Sequence, residues 1–146
     1  MSLLGGTVFL LLLAIAALHL AWGFGVRFPA RNERELVALV ICATGTTTMP
    51  GAAQCAAAAA AIFGAGLVVL ALAGLIRVPV PAGIISAAGL IAMFVFAGRG
   101  IAGYVPAWRG RFSQEPFATL DQRFYAPLCF LLAAAFAALY FYRPGM

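Results

Sequence analysis

Long apolar runs separated by short polar connections dominate the pattern along the chain. A membrane span needs about 20 mainly apolar residues to cross about 30 Å of hydrocarbon. Runs of this kind extend from about Leu3 to Phe24, from Gly51 to Ile76, from Ala82 to Ile101 and from Leu120 to Tyr142. Lipid offers the backbone no hydrogen bonds, and the runs lack the alternation of barrel strands, so we predict four transmembrane helices.

The connection between the first two predicted spans, residues 27–50, has a less decisive pattern. Its apolar part, Leu36 to Ala43, is too short to cross a bilayer and contains β-branched residues, and Gly45 favours a turn. We therefore predict a short hairpin or interfacial segment that lies over the bundle. A short amphipathic helix is the alternative, because short apolar runs do not distinguish a strand from a helix.

Composition indicates an all-α, membrane-embedded four-helix bundle that forms one domain over residues 1–146. Hydrophobic residues make up 65% of the chain and charged residues 9%, whereas about a quarter of residues are charged in soluble domains. Mean hydropathy is +1.07. Every basic residue is Arg, and Ala and Gly are abundant. This usage is typical of a GC-rich bacterial genome, so we expect a bacterial inner membrane protein.

Small residues recur at four-residue spacing in the second predicted span, at Ala56, Ala60 and Gly64. Such a face lets helix backbones approach closely. Packing within the chain is the expected use of this face, and a seam between two copies of the chain is the alternative.

The arginines are distributed unequally between the two ends of the predicted bundle. With four spans, both termini and the turn at residues 77–81 lie on one side, together with Arg77 and Arg143. The long connections share the other side, which we call the arginine-rich face. Its arginines are Arg27, Arg31, Arg34, Arg99, Arg109, Arg111 and Arg123. Because basic loops stay in the cytoplasm, we predict cytoplasmic long loops and both termini outside.

Polar residues within or beside the spans also map to the arginine-rich face. His19 and Trp22 lie three residues apart near the end of the first span, hence on one side of a helix. Others end the third span or begin the fourth. We predict a polar pocket or structural network formed by His19, Trp22, Arg99, Asp121, Arg123 and Tyr125.

Two of these residues have both a structural and a functional interpretation. A histidine inside a span is a functional candidate by default, but near an interface a backbone carbonyl can also satisfy His19. Asp121 is suited to cap the fourth helix, as is Thr119. The alternative is a buried ion pair between Asp121 and Arg99 that ties the third and fourth spans together. The cap is the preferred interpretation.

The three cysteines do not form a CxxC pair. His19, Cys55 and Cys129 could converge as soft ligands, but no close-spaced ligand pair supports a metal site, and we predict neither a metal nor a cofactor. A Cys42 to Cys55 disulfide is not expected in a reducing cytoplasm, and becomes possible only if the topology is inverted.

The expected partners are membrane lipids, and a second copy of the chain or another membrane protein. Anionic lipid headgroups would contact Arg27, Arg109 and Arg111 at the basic face. No nucleic acid partner is expected.

Three motifs carry a resemblance to a known family: HLAWGFG at 19–25, RG at 99–100 and PFATLDQRFYAPLC at 116–129. Together they resemble a bacterial family of small four-helix membrane proteins classed as a domain of unknown function. The resemblance covers nearly the whole chain and implies a four-span fold, but it implies no activity. The characteristic positions that it implies are His19, Trp22, Arg99, Asp121, Tyr125 and Pro127.

Two classes of function follow from these patterns. One-sided polarity, without a recognisable nucleophile or cofactor motif, favours a non-enzymatic protein that binds a lipid or small amphiphile or assists assembly. The rival is a small membrane enzyme, such as a lipid or isoprenoid isomerase. It would use His19 and Asp121 for proton transfer and Tyr125 to orient the substrate. A transporter is less supported, because the centres of the spans are apolar.

Overall fold

Four helices of the computed structural model are long and apolar enough to cross a membrane. Three of them are α1 (Ser2–Gly23), α3 (Ala52–Leu72) and α4 (Ala82–Ala102), and the fourth is a composite span, Phe117–Phe141. The structure describes residues 1–41 and 46–142, and these ranges contain no strand. The predicted all-α membrane bundle is therefore confirmed.

The composite fourth span has three consecutive parts. It begins with α6 (Phe117–Leu120), continues through a π-helical turn (Asp121–Tyr125) and ends with α7 (Ala126–Phe141). A short helix, α5 (Pro106–Arg111), lies in the connection that precedes it. The span thus begins earlier than the Leu120 predicted from the apolar run.

The connection between α1 and α3 contains a helix, α2 (Glu33–Val40), and not the predicted hairpin. The side chain of Asn32 caps α2 by accepting a hydrogen bond from the Glu35 N–H at 2.9 Å. Acidic residues in the first turn complement the helix dipole, and Leu36 is buried against the bundle. The amphipathic-helix alternative is therefore correct, because capping and burial override the β propensity of the short apolar run. The turn expected near Gly45 lies outside the described residues.

α3 ends at Leu72, although the apolar run continues to Ile76. Gly74 has a φ of +71°, a left-handed conformation that glycine adopts readily. The Leu75 N–H donates to the Leu70 carbonyl at 2.9 Å, which closes the end of the helix.

The spans form two helix pairs, α1 with α3 and α4 with the fourth span. The pairs meet through α3 and α4 and around one apolar core. The core residues lie in the first half of α1 and in the last parts of α3 and α7. They are Val8, Leu12, Val69, Leu72, Ala73, Leu132, Ala135, Phe136 and Leu139. The core is therefore close to the face that holds the N-terminus, and the arginine-rich face lies at the opposite end.

Small residues shape the contacts between spans at positions other than those predicted. A Cβ on Gly66 would lie 3.1 Å from the Phe9 ring, so α1 and α3 approach closely there. Ala56 and Ala60 are exposed, and a Cβ on Gly64 would meet nothing within 4 Å. These three residues line open clefts beside α1 or α4 and make no tight contact within the described chain, so their use in packing stays a prediction.

Candidate functional site

Asp121 lies at the arginine-rich face, and only 3% of its surface is exposed. Its Oδ1 accepts a hydrogen bond from Nη2 of Arg99 at 2.5 Å, and its Oδ2 accepts one from Nε1 of Trp108 at 3.2 Å. We call Arg99, Trp108 and Asp121 the closed cluster, because both carboxylate oxygens have donors from the chain itself.

Besides this hydrogen bond, the positive charge of the Arg99 guanidinium interacts with the aromatic ring of Trp108. Its Cζ lies 5.1 Å from the centre of the Trp108 ring, a distance at which the ring face attracts a cation. Nη1 of Arg99 is buried and has no hydrogen-bond partner in the described part of the chain. The salt bridge and the aromatic ring together therefore compensate the charge of Arg99.

Asp121 forms an ion pair and does not cap a helix. Among residues 1–41 and 46–142, no backbone N–H donates to its carboxylate, and the helical backbone continues on both sides of it. The beginning of the span is instead closed by Glu115, which accepts from the Thr119 N–H at 3.2 Å and from its hydroxyl at 2.9 Å. The preferred interpretation of Asp121 or Thr119 as a cap is wrong, and the alternative pair with Arg99 is correct.

The π-helical turn places Asp121 on the buried side of the fourth span. The Ala126 N–H donates to the carbonyl of Asp121, five residues earlier, and Pro127 has no N–H to continue the regular pattern. In an uninterrupted α-helix, residues 122 and 123 would share the face of the buried Ala126. The additional residue in the turn brings Asp121 to that face instead. Such π turns are frequent at functional sites.

His19 and Trp22 lie together at the end of α1, with ring centres 4.9 Å apart. Nδ1 of His19 lies 2.8 Å from the carbonyl of Ile15. The tautomer assigned from this contact carries its proton on Nδ1, which leaves Nε2 as an acceptor. Nε1 of Trp22 donates to the Phe28 carbonyl at 2.8 Å. The histidine is thus only half satisfied by its own helix.

A cavity of about 150 Å³ lies beside His19. Trp22, Ile41 and Gln54 also line it, so its wall includes α1, the end of the α2 segment and the start of α3. The side-chain oxygen of Gln54 accepts from the Gly51 N–H at 3.1 Å. Within the described residues, neither the Gln54 amide nitrogen nor Nε2 of His19 has a hydrogen-bond partner. We call His19, Trp22 and Gln54 the open cluster.

A larger apolar groove of about 450 Å³ lies between α3 and α4. Gly64 and Ala92 line it, one from each helix. Ile62, also in its wall, follows the cavity residue Ala58 by four positions. Residues at this spacing lie on one face of a helix, so the cavity and the groove follow each other along the same side of α3.

The polar residues that were predicted to form one pocket or network make contacts in different places. The hydrogen bonds of His19 and Asp121 go to different partners. The hydroxyl of Tyr125 donates to the carbonyl of Leu39 at 3.0 Å and so links the fourth span to α2. Arg123 is exposed. The closed cluster therefore belongs to the α4 and fourth-span pair, and the open cluster to the α1 and α3 pair.

Sequence reasoning missed Trp108. Its place in WRGR at 108–111 indicates only an aromatic residue at a membrane interface. Its contact with Asp121 depends on the path of α5, where the Trp108 ring packs on Phe112 with centres 4.2 Å apart. A buried indole N–H usually has a hydrogen-bond acceptor. This requirement was the one indication in the sequence that Trp108 would have a polar partner.

The arginines predicted to contact headgroups lie in two connections. Arg27 lines a separate cavity after α1. Arg109 and Arg111 lie in the last turn of α5, where basic residues complement the helix dipole. Their contact with lipid stays a prediction.

Cys55 and Cys129 are free thiols, and the Cys55 thiol donates to the Pro50 carbonyl at 3.6 Å. Cys42 lies outside the described residues. Within the described ranges, no group of three or more His, Cys, Asp or Glu side chains is placed to hold a metal ion.

A family model described as "Protein of unknown function (DUF3995)" matches residues 12–136. The chain belongs to the DUF3995 family. The matched range includes every residue of the closed and open clusters, and the resemblance inferred from the sequence is confirmed. No curated protein and no solved structure matches this DUF3995 chain. The four apolar spans make it a multi-pass membrane protein.

Proposed function

We propose that this DUF3995 protein binds an amphiphile of the membrane at its arginine-rich face. The polar part of the ligand would lie at the open cluster, and its apolar part along the groove between α3 and α4. The observation that carries the proposal is the cavity of about 150 Å³ that the half-exposed His19 and the exposed Gln54 both line beside apolar residues. Both side chains keep one polar atom that no described residue binds, so each can form a hydrogen bond with the polar part of a ligand.

The length of the groove supports an acyl chain as the apolar part. From Gln54 to Val68, which lines the far end of the groove, the axis of α3 rises about 21 Å. One leaflet of hydrocarbon is roughly 15 Å deep. An acyl chain anchored at the open cluster therefore has room along α3 for the whole depth of its leaflet.

The contacts of the closed cluster favour a structural role for Asp121, next to the proposed binding site. The proton-transfer alternative requires His19 and Asp121 to reach one substrate, but Arg99 and Trp108 occupy both carboxylate oxygens of Asp121. A carboxylate held in this way is poorly available as a base. The geometry therefore favours ligand binding over isomerase chemistry.

The bacterial inner membrane and the cytoplasmic position of the long connections are part of the same proposal. They would place the open cluster in the cytoplasmic leaflet, with Arg27, Arg109 and Arg111 beside the phosphates of lipid headgroups.

Native mass spectrometry after extraction in a mild detergent tests the proposal. We expect the wild-type chain to retain one lipid. Gly64→Leu should lose that lipid, because the new side chain enters the groove where a Cβ meets nothing within 4 Å. Gly98→Leu is the matched control, since Gly98 is exposed on α4 with equal space and lies outside the groove. A wild-type chain without lipid, or equal retention by both variants, would contradict the proposal.

A further inference from the structure

A second polar cavity, of about 190 Å³, adjoins the open cluster. Arg27, in the connection after α1, and Glu33, at the start of α2, both line it. Trp22, Met49 and Pro50 line this cavity and also the cavity beside His19. The two cavities therefore share a wall.

Arg27 and Glu33 bring opposite charges to one cavity without neutralising each other. No salt bridge joins Arg27 to Glu33 within the described part of the chain. Oε1 of Glu33 accepts from the Met49 N–H at 3.0 Å, which fixes the carboxylate, and Oε2 has no partner in the described ranges. Arg27 is exposed. The cavity thus offers a cationic donor and an anionic acceptor to the same ligand.

We propose that this cavity binds the headgroup of a zwitterionic phospholipid that carries a primary ammonium. Arg27 would donate to the phosphate, since guanidinium groups form strong charge-assisted hydrogen bonds with phosphate oxygens. Glu33 would accept from the ammonium. This assignment rests on the proposed function, because the same lipid would pass His19 and Gln54 and extend its acyl chain into the groove between α3 and α4.

The Glu33 carboxylate is the element that selects among headgroups. A phospholipid with a phosphate but no ammonium satisfies Arg27 and places a negative charge near Glu33, which is unfavourable. A quaternary ammonium keeps the positive charge but has no N–H to donate. Both headgroups should therefore bind less well than one with a primary ammonium.

Competition among defined lipids tests this selectivity on the full chain. The protein is delipidated in detergent and incubated with equal amounts of phosphatidylethanolamine, phosphatidylglycerol and phosphatidylcholine of identical acyl chains, and bound lipids are counted by native mass spectrometry. Wild type should favour phosphatidylethanolamine by about fivefold, the scale of a partly exposed ion pair.

Two variants separate the roles of the charges. Glu33→Gln keeps an oxygen for the Met49 N–H and should abolish the preference over phosphatidylglycerol, and Arg27→Gln should weaken retention of all three lipids. Glu35→Gln and Arg34→Gln are the matched controls. They lie on α2, outside the cavity, and should leave the preference unchanged.

The outcomes distinguish this inference from the proposed function. Retention of a lipid without headgroup preference, or a preference that survives Glu33→Gln, would overturn the headgroup assignment and leave amphiphile binding intact. Retention of no lipid would overturn both. Soluble phosphoethanolamine should fail to displace the lipid, because it has no acyl chain. Displacement by soluble phosphoethanolamine would overturn the lipid as the source of the headgroup.

Discussion

The closed and open clusters lie at the same membrane face and differ in how their polar atoms are satisfied. In the closed cluster, Asp121 is 3% exposed and both of its oxygens accept hydrogen bonds from α4 and α5. In the open cluster, His19 and Gln54 each bond one polar atom within their own segment, and both residues line a cavity. A buried carboxylate with a donor on each oxygen stabilises the bundle, although Nη1 of its partner Arg99 has no acceptor in the described chain. The more exposed side chains beside a cavity are available to a ligand.

The two clusters also belong to different helix pairs. The closed cluster joins α4 to the fourth span through the Arg99 and Asp121 pair. The open cluster lies between α1 and α3, under the end of the α2 segment. If this interpretation is right, changes in the closed cluster should affect stability, and changes in the open cluster should affect ligand retention.

The largest effect on stability is expected from Asp121→Asn. The amide keeps the shape of the carboxylate but leaves the charge of Arg99 without its partner. Breaking a fully buried pair costs about 3 to 5 kcal/mol. Because the Arg99 side chain is 29% exposed, we expect the free energy of unfolding to fall by about 2 to 3 kcal/mol. Unfolding at increasing SDS fraction in mixed micelles measures this change.

Arg123→Gln is the control for Asp121→Asn, because Arg123 is an exposed charge in the same π-helical turn. It should change stability by no more than about 0.5 kcal/mol. Combining Asp121→Asn with Arg99→Gln should recover part of the loss, since the two residues interact directly. Strict additivity of the two substitutions would contradict the ion pair.

The spans were predictable because a bilayer imposes one strong requirement on sequence, a long apolar run in helical form. The structure of the α2 segment could not be predicted in this way, because a short apolar run fits either a strand or a helix. Its outcome depended on the Asn32 cap and on burial of Leu36 against other elements. The local sequence pattern therefore predicts the transmembrane helices, whereas tertiary contacts determine the structure of short interfacial segments such as α2.

The members of the candidate site were easier to predict than their grouping. A lone charge or imidazole in an apolar run stands out, which is why Asp121 and His19 were found. The partner Trp108 and the cap at Glu115 were missed, because both depend on the path of the connection before the fourth span. The π-helical turn also changes which residue faces the bundle, and Pro127 was its only visible signal.

Gly103→Ala tests the close packing around the closed cluster. A Cβ at Gly103 would lie 2.7 Å from the Cβ of Ala126 and 3.3 Å from Oδ2 of Asp121, so the end of α4 would have to move. Overpacking of this kind costs about 1 to 3 kcal/mol, measured by the same unfolding assay. Gly98→Ala has open space and should be neutral or stabilising, since Ala favours a helix over Gly by about 1 kcal/mol. Equal stability of both variants would refute the tight contact.

Tyr125→Phe tests the link between the fourth span and α2. Loss of the hydrogen bond to the Leu39 carbonyl should cost about 1 kcal/mol, and mainly by local opening of α2. Hydrogen exchange of the α2 amides should then rise by about fivefold. Tyr104→Phe removes a similar bond, to the Gln122 carbonyl at 2.9 Å, and should leave α2 unchanged. If α2 exchanges equally in both variants, Tyr125 does not hold it.

The smallest effect on stability, and the sharpest test of the comparison, is expected from His19→Leu. The Ile15 carbonyl keeps its backbone hydrogen bond within α1, so stability should change by no more than about 0.5 kcal/mol. Lipid retention should nevertheless fall, because an imidazole that lines the cavity is lost, whereas Asp121→Asn should lower stability and leave retention intact. Unfolding and native mass spectrometry on both variants measure this crossed pattern. If His19→Leu destabilises the bundle as much as Asp121→Asn, the two clusters have the same structural role, and the distinction between open and closed fails.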